Sequence, residues 1–262
     1  MTLTESNYYS TRANKQYLSV SQYKSFQRCE AAALAEIKGE WRRPDTTALL
    51  VGGYVDAWFE GSISQFYEKN PSIFKKDGSL KADFTQAVEL IYRIKQDDLF
   101  MEYMSGEKQR IFTAKLFGAD WKIKIDSLLT DKIVDLKVMR SMERIMGKSF
   151  VEHWGYDLQM AVYAAVYKAV TGKELDTYLA VVTKQTPADL EIIEIPKWRR
   201  DELLAEVERN VPRILSIKTG EIQPERCGVC EYCRATKKLT KPIDFELVGL
   251  SNAERKAIFG EL

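Results

Sequence analysis

Between Trp121 and Val138 the chain reads WKIKIDSLLTDKIVDLKV, and within it Asp126, Asp135 and Lys137 form the set of side chains best suited to chemistry. Alternation along a strand buries Trp121, Ile123 and Ile125 on one side and turns Lys122, Lys124 and Asp126 to the other. The second run repeats the device: Asp135 and Lys137 share a face, with Val134, Leu136 and Val138 packed opposite. The link Leu129-Thr130-Asp131-Lys132 is short enough for a hairpin. A turn centred on Thr130-Asp131 pairs Asp126 with Asp135, Cβ atoms about 5 Å apart. Two carboxylates so placed repel unless a cation lies between them, and hard oxygen ligands suit Mg²⁺ or Mn²⁺. The same register also sets Lys124 opposite Lys137, so spacing alone equally describes a solvated face of diagonal salt bridges.

Further residues decide between the two. An Asp, then after a short hairpin an Asp-x-Lys, then a helix bearing Gln and Tyr four apart, resembles the PD-(D/E)XK nuclease superfamily; here these are Asp126, Asp135-Leu136-Lys137, Gln159 and Tyr163. Upstream, LSVSQYKSFQRCEAAAL (Leu18 to Leu34) is similar to the opening helix of its phage-type exonuclease branch, which includes RecE-type exonuclease VIII. In VGGYVDAWFEG, where that branch carries a His facing the metal, this chain has Asp56. The resemblance spans about Leu18 to Arg234.

It implies a restriction-endonuclease-like α/β core, a mixed sheet flanked by helices, with an N-terminal helical elaboration. The whole of 1–262 is expected to be one nuclease domain: a helical part over 1–105, a catalytic core over 106–220 and a cysteine-containing tail over 221–262. Asp126, Asp135 and the Leu136 carbonyl are the implied Mg²⁺ or Mn²⁺ ligands, with Asp56 an additional one. Lys137 is the implied water-holding and charge-stabilising group, Gln159 positions the site, and Tyr163 supports it or contacts DNA. The implied reaction is exonucleolytic hydrolysis of linear DNA in phage or prophage recombination. An annealing protein and further copies of the chain are the implied partners. A structure-selective endonuclease and a non-catalytic DNA-binding or metal-cluster module of a recombination complex are the alternatives.

The four cysteines form a second constellation. Cys227, Cys230 and Cys233 lie in RCGVCEYCR as C-x₂-C-x₂-C, far from Cys29. In a reducing compartment this spacing reads as metal ligation rather than a disulfide framework. Some PD-(D/E)XK relatives, including AddB-type nucleases, hold a [4Fe–4S] cluster with one early and three late cysteines, though with a longer last interval. The four thiolates here suit such a cluster, a Zn²⁺ ion, or plain reduced thiols with Cys29 buried.

Composition bounds the rest. The 262 residues, 45% of them hydrophobic, suffice for a full core, and a net charge of +1 argues against a polybasic DNA coat. No apolar leader opens the sequence and no apolar run reaches the ~20 residues that span a bilayer, so a cytoplasmic protein without a membrane partner is expected. With His153 the single histidine, a multi-His zinc site is excluded; His153 itself reads as a surface or capping residue, and Glu107 has no spacing to support a role. Trp41-Arg42-Arg43 and Trp198-Arg199-Arg200 resemble base-stacking patches but fit equally a packed Trp beside exposed Arg. Arg234, Lys237, Lys238 and Lys241 form a basic tract suited to a DNA backbone or to a solvated loop.

The elements that must position these groups follow from periodicity. Helices are expected near 20–38, 46–60, 62–69 and 83–104. Strands are expected at about 108–117, 120–129 and 132–138, the first pair turning at Gly118-Ala119. A helix over 154–171 ends at Gly172, strands follow at 176–184 and 190–195, and a charged helix starts near Pro196 and bends at Pro212.

Overall fold

A computed structural model describes residues 1–42, 44, 46–239 and 242–259. The chain divides into two compact units: 1–43 with 116–121 and 207–262, and 44–115 with 122–206.

Three short helices open the chain, α1 (Thr11–Gln16), α2 (Val20–Arg28) and α3 (Glu30–Lys38). Ser19 caps α2 by accepting a hydrogen bond from the Gln22 amide, and Gly39 in the left-handed region closes α3. The single helix expected over 20–38 is therefore broken. Cys29 is the break: its backbone is extended (φ −165°, ψ 106°), and the Ala31 amide beyond it bonds to the Glu225 carbonyl instead of to a preceding turn. One residue out of helical register is enough to re-aim its side chain, and its thiol is part of the quartet described below.

The second unit begins with α4 (Thr47–Phe59), α5 (Ile63–Lys69), α6 (Ala82–Lys95) and α7 (Asp98–Tyr103). The helix expected over 83–104 is two helices, because the Asp97 carboxylate accepts from the Phe100 amide and starts a new one. Strands β1 (Arg110–Leu116) and β2 (Ala119–Ile125) form a hairpin. Its turn is Phe117-Gly118, both at positive φ, one residue earlier than the expected Gly118-Ala119. Next come β3 (Ser127–Leu128), β4 (Lys132–Met139), α8 (Phe150–Trp154), α9 (Tyr156–Thr171), β5 (Asp176–Thr183) and β6 (Leu190–Glu194). Helix α9 matches the helix expected over 154–171 and ends at Gly172, and left-handed Gly155 separates it from α8, a short helix that was not expected.

Strands β3 to β6 make one mixed sheet in sequence order, parallel between β4 and β5 and antiparallel elsewhere. Central β5 is largely apolar on both faces, as a covered sheet requires, whereas β4 is apolar on one face and carries Asp135 and Lys137 on the other. Val134, Leu136, Ala180 and Val182 pack into one core with Val51, Val55 and Tyr54 of α4, Leu90 and Ile94 of α6, and Phe100 of α7. On the other face α9 packs against β4 and β5. The α/β class and the helix-flanked sheet expected from the sequence are what the chain forms. Helix α10 (Lys197–Thr219) then runs through Pro212 without a gap, followed by α11 (Glu231–Ala235) and α12 (Asn252–Phe259). Among the described residues no helix is long and apolar enough to cross a membrane.

Candidate active site

The site is built on the break between β2 and β4. Strand β2 ends at Ile125, and β3 then pairs with β4 in the register Ser127↔Val134 and Leu128↔Ile133. One step further along that register, Asp126 faces Asp135. The Asp126 Oδ2 accepts from the Leu136 amide at 2.9 Å, so a side chain satisfies a backbone group at the point where the ladder stops. Its Oδ1 accepts from Gln109 Nε2 at 3.2 Å. Next to Asp126 in the chain, Ser127 Oγ accepts from the Gly106 amide and donates to the Tyr103 carbonyl, fixing the approach of the preceding loop.

Asp135, a carboxyl side chain, is only 2% exposed. Burial at that depth demands partners. Gln159 of α9 donates to Oδ1 at 2.7 Å, and the Lys137 ammonium is ion-paired with Oδ2, which is shielded from water. The Lys137 ammonium also lies 4.8 Å from the centroid of the Tyr156 ring, an aromatic face that suits a cation. Tyr163, one turn beyond Gln159 on α9, is buried.

Asp56 enters from α4 through its field. Burial raises its carboxyl to about 7; the Lys137 charge opposes that, while Asp135 and Glu60 add to it. Burial likewise raises Asp126 well above the usual range, with Asp135 and Asp56 adding to the shift and the Lys137 charge and the Leu136 N–H opposing it. For Lys137, burial favours the neutral amine, yet the neighbouring Asp135 and Asp126 charges outweigh it and hold the group cationic. Three carboxyl groups face one ammonium, and the upward shifts at Asp56 and Asp126 show that the cluster resists holding all of them ionised without further positive charge. Hard oxygen donors that raise one another's pKa, one of them a buried oxygen paired only by an ammonium, fit a small divalent cation such as Mg²⁺ or Mn²⁺.

Sequence reasoning missed four contributors. Glu60 lies four residues after Asp56 and Tyr156 three before Gln159, so helical spacing from a known member points to both. Gln109, at φ 52°, and Lys108, which burial lowers in pKa against the pull of Asp126, precede β1 in a loop where no periodicity marks them. Lys122, placed by alternation on the polar side, is buried, while on the same side Lys124 is half-buried and Asp120 exposed.

The remaining candidates lie elsewhere. His153 sits in the last turn of α8 with its ring edge-on to Trp154. Glu107 is exposed and ion-paired with Arg110. Arg200 is buried, donating to the Leu175 carbonyl and Thr177 Oγ1, and Arg199 is bonded to Asp157 and Glu202, so of that triplet only Trp198 is free to stack on a base. Trp41 packs edge-on against Tyr232. Arg234 donates to the Val229 carbonyl, while Lys237 and Lys238 are exposed. Arg43 and Lys241 lie outside the described residues.

In the other unit, Cys29, Cys227, Cys230 and Cys233 come together with every pair of sulfurs within 4.8 Å. Sγ separations of 3.6 Å (Cys29 to Cys233) and 3.9 Å (Cys227 to Cys233) exclude disulfides. Burial pushes the Cys233 thiol up to about 12. Burial also acts upward on Cys227, but amide donors at Val229 and Cys230 bring it down to about 7. The quartet is a group that a metal can occupy.

Comparison with known proteins gives the family of the chain. No curated protein matches the chain. The crystal structure of a "Putative exonuclease" from Eubacterium rectale is 48% identical, covers 95% of this chain and 99% of its own, and superposes with a TM-score of 0.92. A second solved structure, that of SSO0001, is 15% identical over 84% of this chain and 96% of its own, and its TM-score of 0.30 is too low to bear on the fold. The family model described as a PDDEXK-like domain of unknown function (DUF3799) matches residues 19–236, a span that holds the acidic cluster, Lys137, Gln159 and all four cysteines, and the chain therefore belongs to that PDDEXK-like family.

Proposed function

We propose that the protein is a Mg²⁺- or Mn²⁺-dependent DNA exonuclease that hydrolyses phosphodiester bonds of linear DNA in phage or prophage recombination. The observation that carries this reading is the meeting of Asp126, Asp135, Lys137 and Gln159 in one cluster, with Asp56 in its field. The exonuclease-like relative, nearly half identical over its whole length, supports the exonucleolytic mode.

Asp126, Asp135, the Leu136 carbonyl and Asp56 would hold the cation, which when bound supplies a Lewis acid for the phosphate and lowers the pKa of water. The chain's own residues do the rest. Gln159 holds Asp135 by one oxygen and leaves the other turned toward Lys137. Lys137, kept cationic by its neighbours, stabilises charge that builds on a phosphate oxygen and orients the attacking water. Tyr156 keeps that ammonium from swinging away, and Tyr163 supports α9 from within. A single-strand annealing protein and further copies of this chain are the partners that the family resemblance suggests for this role.

The test is cleavage of end-labelled linear and covalently closed circular DNA with Mg²⁺, Mn²⁺ or EDTA, alongside Asp135→Ala and Lys137→Ala. Metal-dependent loss of linear DNA, circles spared and both variants at least a hundredfold slower, is the expected result. Circles cut as fast as linear DNA would make it an endonuclease. Binding without cleavage under either metal would leave a non-catalytic module.

A further inference from the structure

We infer that the cysteine quartet is a mononuclear tetrahedral Zn²⁺ site rather than the seat of a [4Fe–4S] cluster. The inference is independent of the nuclease reading and rests on three observations within one compact unit.

The first is size. Zn–S bonds of about 2.3 Å at tetrahedral angles set the sulfurs roughly 3.8 Å apart. The separations of 3.6 and 3.9 Å straddle that value, and every pair falls within 4.8 Å. A cubane binds each thiolate to its own iron, with the body of the cluster between the four sulfurs, and so needs them spread well beyond what one ion spans. The quartet is too tight to enclose it.

The second is the pattern of amide donors. The Cys227 amide points to Cys29 Sγ at 3.5 Å, the Cys230 amide to Cys227 Sγ at 3.3 Å, and the Cys233 amide to Cys230 Sγ at 3.4 Å. Each link after the first steps three residues along C-x₂-C-x₂-C, folding both intervals into knuckles that present successive sulfurs to a common point. N–H donors disperse the charge of four thiolates on one divalent ion, which is net −2. The Arg226 guanidinium, donating to the Cys233 carbonyl at 3.2 Å, adds positive charge beside them.

The third is that the chain is bent to make the point. The break at Cys29 turns its thiol out of the α2–α3 line toward the tail. Gly228, at φ 83°, forms the first knuckle, and a Cβ there would lie 2.8 Å from Asn252 Oδ1. Asn252 in turn bonds the Arg226 and Cys227 carbonyls. A bound ion would tie the α2–α3 junction to the segment after α10, a structural staple closed by four protein ligands with no open position.

The experiment is metal and acid-labile sulfide analysis of protein from iron-replete cells, purified without oxygen, followed by exchange with Co²⁺. One zinc per chain, negligible iron and sulfide, no colour, and intense tetrahedral tetrathiolate ligand-field bands after Co²⁺ exchange are expected. Cys230→Ser should hold less than a tenth of the zinc, but the wild-type chain decides the matter, because its folding is not at issue. A brown protein with stoichiometric iron and sulfide would overturn the inference, as would a folded chain that holds no metal and takes up no Co²⁺. Neither result depends on whether DNA is cut.

Discussion

A buried carboxylate is worth keeping only if every atom of it is answered, and Asp135 shows how narrowly that is met. Its Oδ1 relies on the Gln159 amide at 2.7 Å and its Oδ2 on Lys137. Gln159→Leu keeps the volume and removes the donor, leaving a charged oxygen desolvated without compensation. The expected cost is about 1–3 kcal/mol in urea unfolding, together with at least tenfold slower DNA cleavage. If unfolding is unchanged, water or Lys137 replaces the donor and Gln159 has no positioning role. Residue types carried most of this cluster into the sequence reading. Strand alternation and a short turn put Asp126, Asp135 and Lys137 on one face, while Gln159 on α9 enters only through the resemblance to PD-(D/E)XK nucleases, which also favours a site over a solvated face. Gln109 and Lys108 are not legible in the sequence, because they reach Asp126 from a loop whose backbone sits in an unusual region that no period announces.

At the scale of elements, sequence pattern found where helices and strands exist but not where they break. Tyr23, Phe26 and Leu34 lie on related turns and read as one helix, yet Cys29 interrupts it because a tertiary partner, the tail bearing the other three cysteines, overrides local propensity. Asp97 divides the other over-long helix, expected over 83–104, by local means, a side-chain cap. The loop before β1 is held more closely than its composition suggests. Gly106 lies so near β3 that a Cβ there would meet the Leu128 carbonyl oxygen at 2.5 Å, a backbone atom that cannot rotate away. The Glu107 and Leu128 amides exchange hydrogen bonds at 2.9 Å just beyond. Gly106→Ala should therefore push the loop off β3, costing about 1–3 kcal/mol. Differential hydrogen exchange is the check: faster exchange at Glu107 and Leu128 is expected, with α10 unaffected. Unchanged protection at both amides would show that the loop shifts without strain.

For the molecule as a whole, 39 basic against 38 acidic residues leave almost no net charge to repel itself, so stability should follow pH through individual buried groups. Lys218, in the last turn of α10, is one. It donates to the Asn14 and Tyr17 carbonyls, and burial lowers its pKa to about 8. Two carbonyl dipoles do not replace the water or the carboxylate that a lysine normally has. Below pH 8 both folded and unfolded chains carry the charge, and the folded state bears the full desolvation cost. Between 8 and about 10.4 the unfolded lysine still holds its proton while the folded one has lost it, so stability rises with pH. Above that range the cost is gone. The shift would correspond to about 3 kcal/mol for a fully enclosed group, and the partial exposure of this one reduces it to roughly 1–2 kcal/mol. Lys218→Met keeps the stem and discards the charge, so it should be more stable than wild type at pH 7, by that amount less the two lost hydrogen bonds. The difference between the two proteins, measured by chemical unfolding from pH 7 to 10.5, should move in favour of wild type as pH rises, which cancels the titration of cysteines and tyrosines common to both. A constant difference across that range would mean that the ammonium stays solvated and that α10 ends on an ordinary surface lysine.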